Sequence, residues 1–267
     1  MFKSAIVKRP CKNFSKGQTT SSLGSPIFEK VIEQHENYIH ALRKCGLKVY
    51  ILESDEKYPD STFVEDTAIV NEKCIIITNP GAQSRKGEVN AIIDFLKNDS
   101  NYEKIEGIER IESPGTVDGG DVMRIKGEYY IGLSSRTNKL GARELSTILT
   151  SYGFKTHFVK LRKSLHLKSG VNYIGDNRLL ATNEFKDNPL FSSYRIINVD
   201  KDEAYAANCI RANDYIIIPK GYPKLKKKLT TLSYKIMELE MSEFEKMDGG
   251  LSCLSLRFPQ DIYVGKD

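Results

Sequence analysis

A recurring hairpin constrains this chain more than any other feature. A short apolar run, a polar turn and a second apolar run follow one another at TAIV-NEK-CIIIT (67–78), DVMRI-KGE-YYIGL (121–133), VNYI-GDN-RLLAT (171–182) and NCIRA-ND-YIIIP (208–219). Short apolar runs bounded by Gly, Asn, Asp and Lys turns read as paired antiparallel strands. Helical spacing follows the first, second and fourth hairpins. It is carried by Val89, Ile92, Ile93 and Leu96, then by Leu145, Ile148 and Leu149 with Gly153 as a stop, then by Leu225 and Leu229. A fifth hairpin pairs SCLSLRF (252–258), a strand that includes Cys253, with SAIVKRP (4–10), joining the two ends of the chain. A helix from Ile27 to Leu42 comes next, with Ser25 as N-cap, Pro26 at the first helical position and Gly46 beyond its end.

The hairpins start roughly 40–55 residues apart, too irregular for an open array of equivalent repeats. Pairing of the last strand with the first favours a closed ring, with an ordinary mixed α/β sandwich as the alternative. A ring gathers its strand ends around one central depression. No Pro/Gly/Ser linker divides the chain, so residues 1–267 read as one domain. The stretch SKGQTTSSLGSP (15–26), with four serines, two threonines and two glycines, is long for a connector and reads as a mobile lid.

The 267 residues are 40% hydrophobic and 28% charged, enough to bury a substantial core. No apolar run is long enough to span a bilayer and no cleavable leader is evident, so a soluble, cytoplasmic protein is expected. Five scattered cysteines without CxxC spacing suit a reducing compartment. His35 and His40 fall on different faces of one helix, and no metal or other cofactor is expected. The net charge of +5 comes largely from KLKKKL (224–229), read as a solvated helix face, so neither a nucleic-acid nor a membrane partner is expected.

Polar residues collect at the strand mouths. Asp60, Glu65 and Asp66 precede the first hairpin, Asp118 and Asp121 the second, His166 the third, and Asp248 and Cys253 the fifth. By alternation, at least one of Glu65 and Asp66 points inward. A ring would bring these groups into one acidic pocket within a basic protein, and a cationic ligand is the simplest way to offset that charge. Gly119-Gly120 and Gly249-Gly250 remove side chains beside an acid and a thiol, where another group must come close.

PDSTFVEDTAIV, GTVDGGDVMRIKGEYYIGLSSRTNKLGA, LHLKSGVNYI, NCIRANDYIIIPKGYP and DGGLSCLSLRF, in this order and spacing, resemble the dimethylarginine dimethylaminohydrolases. These belong to the guanidino-group-modifying superfamily of arginine deiminases and amidinotransferases, and the resemblance covers essentially the whole chain. It implies an α/β fold, a five-bladed α/β propeller of ββαβ-like modules with pseudo-fivefold symmetry. It also implies cofactor-free hydrolysis of N-ω-methylated arginine (asymmetric dimethylarginine, monomethylarginine) to citrulline and a methylamine through a covalent thiouronium. Such an enzyme is a hydrolase of the C–N bond of a linear amidine, with a small-molecule substrate. The resemblance also admits a homodimer, although no interface is marked.

Residue by residue, the resemblance makes Cys253 the nucleophile, His166 the general acid/base and Asp118 its orienting acid. Glu65 and Asp66 correspond to the acids at the guanidino end, with Asp60 close by. Arg85 and Arg136 correspond to the grip on the α-carboxylate, and the backbone at Met247 and Asp248 to the hold on the guanidino and amino ends. Gln18 departs from the pattern, because bacterial relatives tend to place an apolar lid residue there. A polar residue at 18 is expected to widen acceptance to monomethylarginine or another N-ω substituent. The chemistry agrees independently: a guanidinium carbon is a poor electrophile, so it needs an activated thiol and an acid for the leaving amine. Two alternatives remain, a compact arginine deiminase and a non-catalytic arginine-derivative binder.

Overall fold

All four internal hairpins form, and each acquires a third strand that the hairpin pattern did not announce. The computed structural model describes residues 1–98 and 107–259. The first hairpin is β3 (Ala68–Val70) with β4 (Cys74–Ile77), extended by β5 (Gly107–Arg110) parallel to β4. In the same way β6 (Val122–Ile125) and β7 (Glu128–Leu133) take β8 (Lys155–Lys160), and β9 (Val171–Gly175) and β10 (Arg178–Ala181) take β11 (Arg195–Asn198). The fourth, β12 (Ile210–Ala212) and β13 (Tyr215–Pro219), takes β14 (Lys235–Leu239). The chain ends meet as expected: β1 (Phe2–Lys8) runs antiparallel to β15 (Leu256–Pro259), with Ile6 opposite Leu256, and parallel to β2 (Lys48–Leu52). The result is an α/β fold of five three-stranded sheets.

A parallel third strand needs a crossover, and a helix is the usual one. Four modules comply, through α1 (Phe28–Lys44), α2 (Val89–Asn98), α3 (Lys139–Ser151) and the helix Pro223–Thr231. The module of β9–β11 instead crosses over through irregular chain with a short 3₁₀ turn at Pro189–Phe191. Gly46 and Gly153 end their helices in the left-handed region, at φ +85° and +83°. Asp176 and Asn177 both have positive φ, as a two-residue type I′ hairpin turn requires.

The expected N-cap of the first helix is not realised. The helix begins at Phe28, and the Ile27 N–H is taken at 2.6 Å by the Glu243 carboxylate rather than by Ser25. An acid 216 residues away supplies the cap, which local sequence cannot reveal.

The middle strands β4 and β13 are buried on both faces, which explains why CIII and YIII read as continuous rather than alternating apolar runs. In β4, Ile75 and Ile77 pack with Ile6, Leu256 and the α2 stripe, while Cys74 and Ile76 pack with Val122, Ile131 and Leu145. The next sheets repeat this: Met123 and Tyr130 meet Leu179 and Val171, and Ile174 and Leu180 meet Ile216 and Ile218. The last core joins Ile210 and Ile217 to Ala5 and Val7. Each core is thus shared by two successive sheets, and the fifth is shared by the last sheet and the first.

In Pro223–Thr231, Leu225 and Leu229 are buried, and Lys224, Lys226 and Lys228 pair with Asp202, Glu238 and Asp200. Three of its four lysines are therefore matched by acids. His35 is buried and His40 exposed, on different faces of α1 as expected. Among the described residues, no helix is long and apolar enough to cross a membrane.

Candidate active site

The polar residues at the strand mouths do converge. A cavity of about 220 Å³ is walled by Asp60, Asp66, Arg85, Arg136, His166, Met247, Asp248 and Cys253, with Gln18 to Thr20 laid across it. It is smaller than pockets for drug-sized ligands, roughly 300–1,000 Å³, and suits a single amino acid. Two wider clefts of about 670 and 790 Å³ share Asp248 with it but contain neither the thiol nor His166.

Local structure differs from the expectation at two of these positions. Glu65 and Asp66 lie on a 3₁₀ turn, Val64–Thr67, instead of an alternating strand, and both are buried. Cys253 lies on a second 3₁₀ turn, Ser252–Leu254, with the strand starting only at Leu256. A tight turn aims successive side chains in different directions, and this is how adjacent acids reach different partners. Asp66 faces the cavity. Glu65 turns away, to Lys168 Nζ at 2.6 Å and Ser252 Oγ at 2.8 Å, and does not line the cavity.

His166 precedes a short helix, Leu167–Gly170, whose first N–H is fixed by Asp121 at 3.0 Å. Its Nε2 lies 3.0 Å from Asp118 Oδ2, while Asp118 Oδ1 accepts the Gly81 N–H at 2.8 Å. Asp118 is fully buried behind the histidine. Burial disfavours the imidazolium, but the Asp66 charge, the Asp118 hydrogen bond and the Asp121 charge outweigh it and raise His166 to about 9. Burial likewise works against ionised Asp66, yet His166, Arg85 and the Gly120 N–H hold it down at about 2. The Cys253 thiol is pushed up to about 12 by burial and then by the Glu65 and Asp66 charges, opposed by the Gly250 N–H at 3.4 Å. The site therefore pairs a protonated thiol with a protonated imidazole.

The glycine pairs serve close approach. A Cβ on Gly120 would fall 2.7 Å from His166 Nδ1 and 3.0 Å from Asp66 Oδ1, and one on Gly249 would fall 2.2 Å from the Phe63 ring. Only hydrogen fits in either place.

Asp66, Asp118 and His166 are near enough to one another to chelate an ion. Their donor atoms are otherwise engaged: Asp66 by Arg85 Nη1 at 2.6 Å and Gly120 N at 2.8 Å, Asp118 by His166 and Gly81. The trio is organised around a proton and a guanidinium.

A family model described as N,N dimethylarginine dimethylhydrolase, eukaryotic, matches residues 12–253. The chain is 44% identical over 258 residues to the N(G),N(G)-dimethylarginine dimethylaminohydrolase of Pseudomonas aeruginosa, covering 97% of this chain and 100% of that protein. The chain belongs to the dimethylarginine dimethylaminohydrolase family. A solved structure of the Pseudomonas aeruginosa enzyme, a cysteine-to-serine mutant complexed with citrulline, matches with TM-score 0.93 at 44% identity, covering 97% of this chain and 100% of that one. The N-terminal domain of the cyanobacterial arginine dihydrolase ArgZ, bound to product, has TM-score 0.85 at 18% identity over 97% of this chain and 98% of that one, a likeness of fold alone.

This dimethylarginine dimethylaminohydrolase family member has polar supports that its motifs did not signal. Arg85 is buried, with Nε and Nη2 on Glu88, Nη2 also on the Phe63 carbonyl, and Nη1 on Asp66. Of a guanidinium's five N–H donors, a single Nη1 hydrogen is left for a ligand, so Arg85 offers a weaker carboxylate grip than the resemblance implied. Arg136 differs: its Nη2 donates to Gln18 Oε1 at 2.7 Å, and its buried Nη1 has no hydrogen-bond partner. Glu88 and Lys168 are the functional supports that sequence reasoning missed. The only available signal for Glu88 was its i+3 spacing from Arg85, and Lys168 had none.

Proposed function

We propose that this chain hydrolyses N-ω-methylated arginine to citrulline and a methylamine through a covalent intermediate on Cys253. One observation carries the reading: a thiol, an imidazole backed by a buried carboxylate, and the buried acid Asp66 face one amino-acid-sized cavity. Asp66 receives the guanidinium, with Asp60 nearby and Glu65 contributing charge from behind. Arg136, through its unpartnered Nη1, receives the α-carboxylate, with the last Arg85 donor assisting. The backbone at Met247 and Asp248 lines the remaining wall.

Entry of a cation beside Cys253 offsets the two acids that hold its proton on, so substrate itself favours the thiolate, and the thiol proton leaves to solvent because His166 already carries one. Sγ then attacks the guanidinium carbon. His166, already protonated, gives its proton to the departing amine as the C–N bond breaks. This leaves an S-alkylthiouronium on Cys253 and a neutral imidazole. That imidazole takes a proton from water, whose oxygen attacks the same carbon. Collapse expels the thiol and leaves the citrulline ureido group.

The same reading makes residues 1–267 one catalytic domain, a five-bladed α/β propeller, with 15–26 as its lid. The five shared cores support it, because each sheet packs on two neighbours. Incubating the protein without added metal with asymmetric dimethylarginine, monomethylarginine and arginine, with Cys253→Ser in parallel, tests the proposal. Citrulline with dimethylamine, lost in the variant, is the expected result. Turnover of arginine alone would move the protein to deimination, and silence on all three would sink the hydrolase reading.

A further inference from the structure

The polar residue at position 18 has a structural logic that begins with its neighbour. A Cβ on Gly17 would fall 2.2 Å from Asp60 Oδ1 and 3.2 Å from Met247 Cε, so a glycine lets the lid descend onto buried Asp60. Both Asp60 oxygens then accept the Gln18 N–H at 3.1 Å, which fixes the backbone of residue 18. From there the carboxamide spans two walls. Oε1 accepts from Arg136 Nη2 at 2.7 Å, and Nε2 donates to Ser84 Oγ at 2.8 Å. Arg136 sets which end of the amide faces it, because a guanidinium only donates and only the carboxamide oxygen can accept, and the Ser84 hydroxyl then accepts from Nε2.

Arg136 is held in this way by one nitrogen while its other, Nη1, is buried and unpartnered beside the cavity. A buried cationic donor without an acceptor is unfavourable until a ligand supplies one. We propose that Gln18 is a positioning residue for the substrate's α-carboxylate: closing the lid clamps Arg136 with Nη1 free for that carboxylate, and Gln18 does not read the methyl groups. A neutral amide suits this task. It orients the guanidinium without competing for its charge, which a carboxylate at 18 would do, and an aliphatic residue would leave Arg136 unheld. This rests on the methylarginine reading of the same cavity.

The test compares wild type, Gln18→Leu and Gln18→Glu on asymmetric dimethylarginine, monomethylarginine and N-ω-dimethylagmatine, which lacks the carboxylate. Gln18→Leu should raise KM for both amino acids about tenfold, with kcat within about twofold and kcat/KM for the agmatine unchanged. Gln18→Glu should raise KM further, through competition for Arg136. Adding Gln18→Leu to Arg136→Ala should cost nothing more than Arg136→Ala alone. Equal losses on the agmatine, a changed preference between dimethyl- and monomethylarginine, or additive losses in the double variant would each overturn the assignment. If wild type turns over no methylarginine, the function fails on its own account. Calorimetry on Cys253→Ser then decides Gln18 separately, because citrulline should bind about tenfold more weakly with Gln18→Leu and its decarboxylated counterpart equally well. Citrulline binding that ignores Gln18, or fails altogether, overturns the clamp.

Discussion

In the turn at 118–120 the aspartate is wholly buried, with one oxygen on His166 and the other on the Gly81 N–H. In the turn at 248–250 the aspartate is half-buried at φ +57°, and its Oδ2 accepts from Thr20 N at 2.5 Å and from the hydroxyls of Thr19 and Thr20. Both turns read Asp-Gly-Gly. Both pairs of glycines admit a close neighbour, Glu65 and His166 in the first, Phe63 and Asn208 in the second. What differs is the direction of the acid, inward to the reacting groups or outward to the lid. The tripeptide specifies room for a neighbour, and the surrounding sheets decide whether the acid beside that room orients a proton carrier or latches a loop.

The sharpest way to break this comparison is at Asp118. Asp118→Asn keeps the shape but removes the charge that helps keep His166 protonated, so kcat should fall by about 10²–10⁴-fold. The imidazole pKa should drop from about 9, as read by NMR titration. A kcat within a few-fold of wild type would remove Asp118 from the mechanism.

Next in size is Gly120→Ala. Its methyl must displace His166 or Asp66, which overpacks a buried site at a cost of about 1–3 kcal/mol. Urea unfolding should show the loss together with a lower kcat, because the displaced groups are the reacting ones.

The outer turn should answer more mildly. Asp248→Ala removes partly exposed lid bonds, so KM should rise about three- to tenfold, while the His166 titration stays in place. A shifted His166 pKa in this variant would dissolve the distinction between the two turns.

The smallest effect concerns pH and His35, which is buried against Phe244 with Nε2 unpartnered and lowered by burial and then by Arg9 to about 4. A depressed histidine favours the fold only while neutral, so its contribution is lost as pH falls from about 6.5 towards 4. His166 has the opposite sign: its raised pKa stabilises fully below about 6.5 and is lost as pH rises through about 9. Thermal melts of His35→Gln should be flatter between pH 6.5 and 4, with the alkaline limb unchanged.

Much of the fold was legible because hairpins are local. Turn chemistry such as Asp176-Asn177 and the apolar runs of β4 and β13 identify them without distant information. The hairpin pattern alone did not show the parallel third strands, which only the ββαβ-like modules of the resemblance implied, since β2 and β11 are half-exposed edges whose pairing depends on a crossover. The proposed catalytic residues Cys253, His166 and Asp118 were nominated by motif order, but their supports were not. Lys168 reaches Glu65 from 103 residues away, and Glu243 caps Ile27 from 216 away.

By itself, then, the sequence determined where strands pair locally and where glycine is needed for close approach, and its motifs nominated the thiol, imidazole and acids proposed to carry the chemistry. Only the tertiary structure decided which of two adjacent acids faces the cavity, which of two arginines has a whole nitrogen to spare, and which Asp-Gly-Gly serves the lid. The reason is physical. Backbone periodicity and side-chain volume act over a few residues, whereas charge, burial and hydrogen-bond saturation are set by groups that only folding brings within a few ångströms.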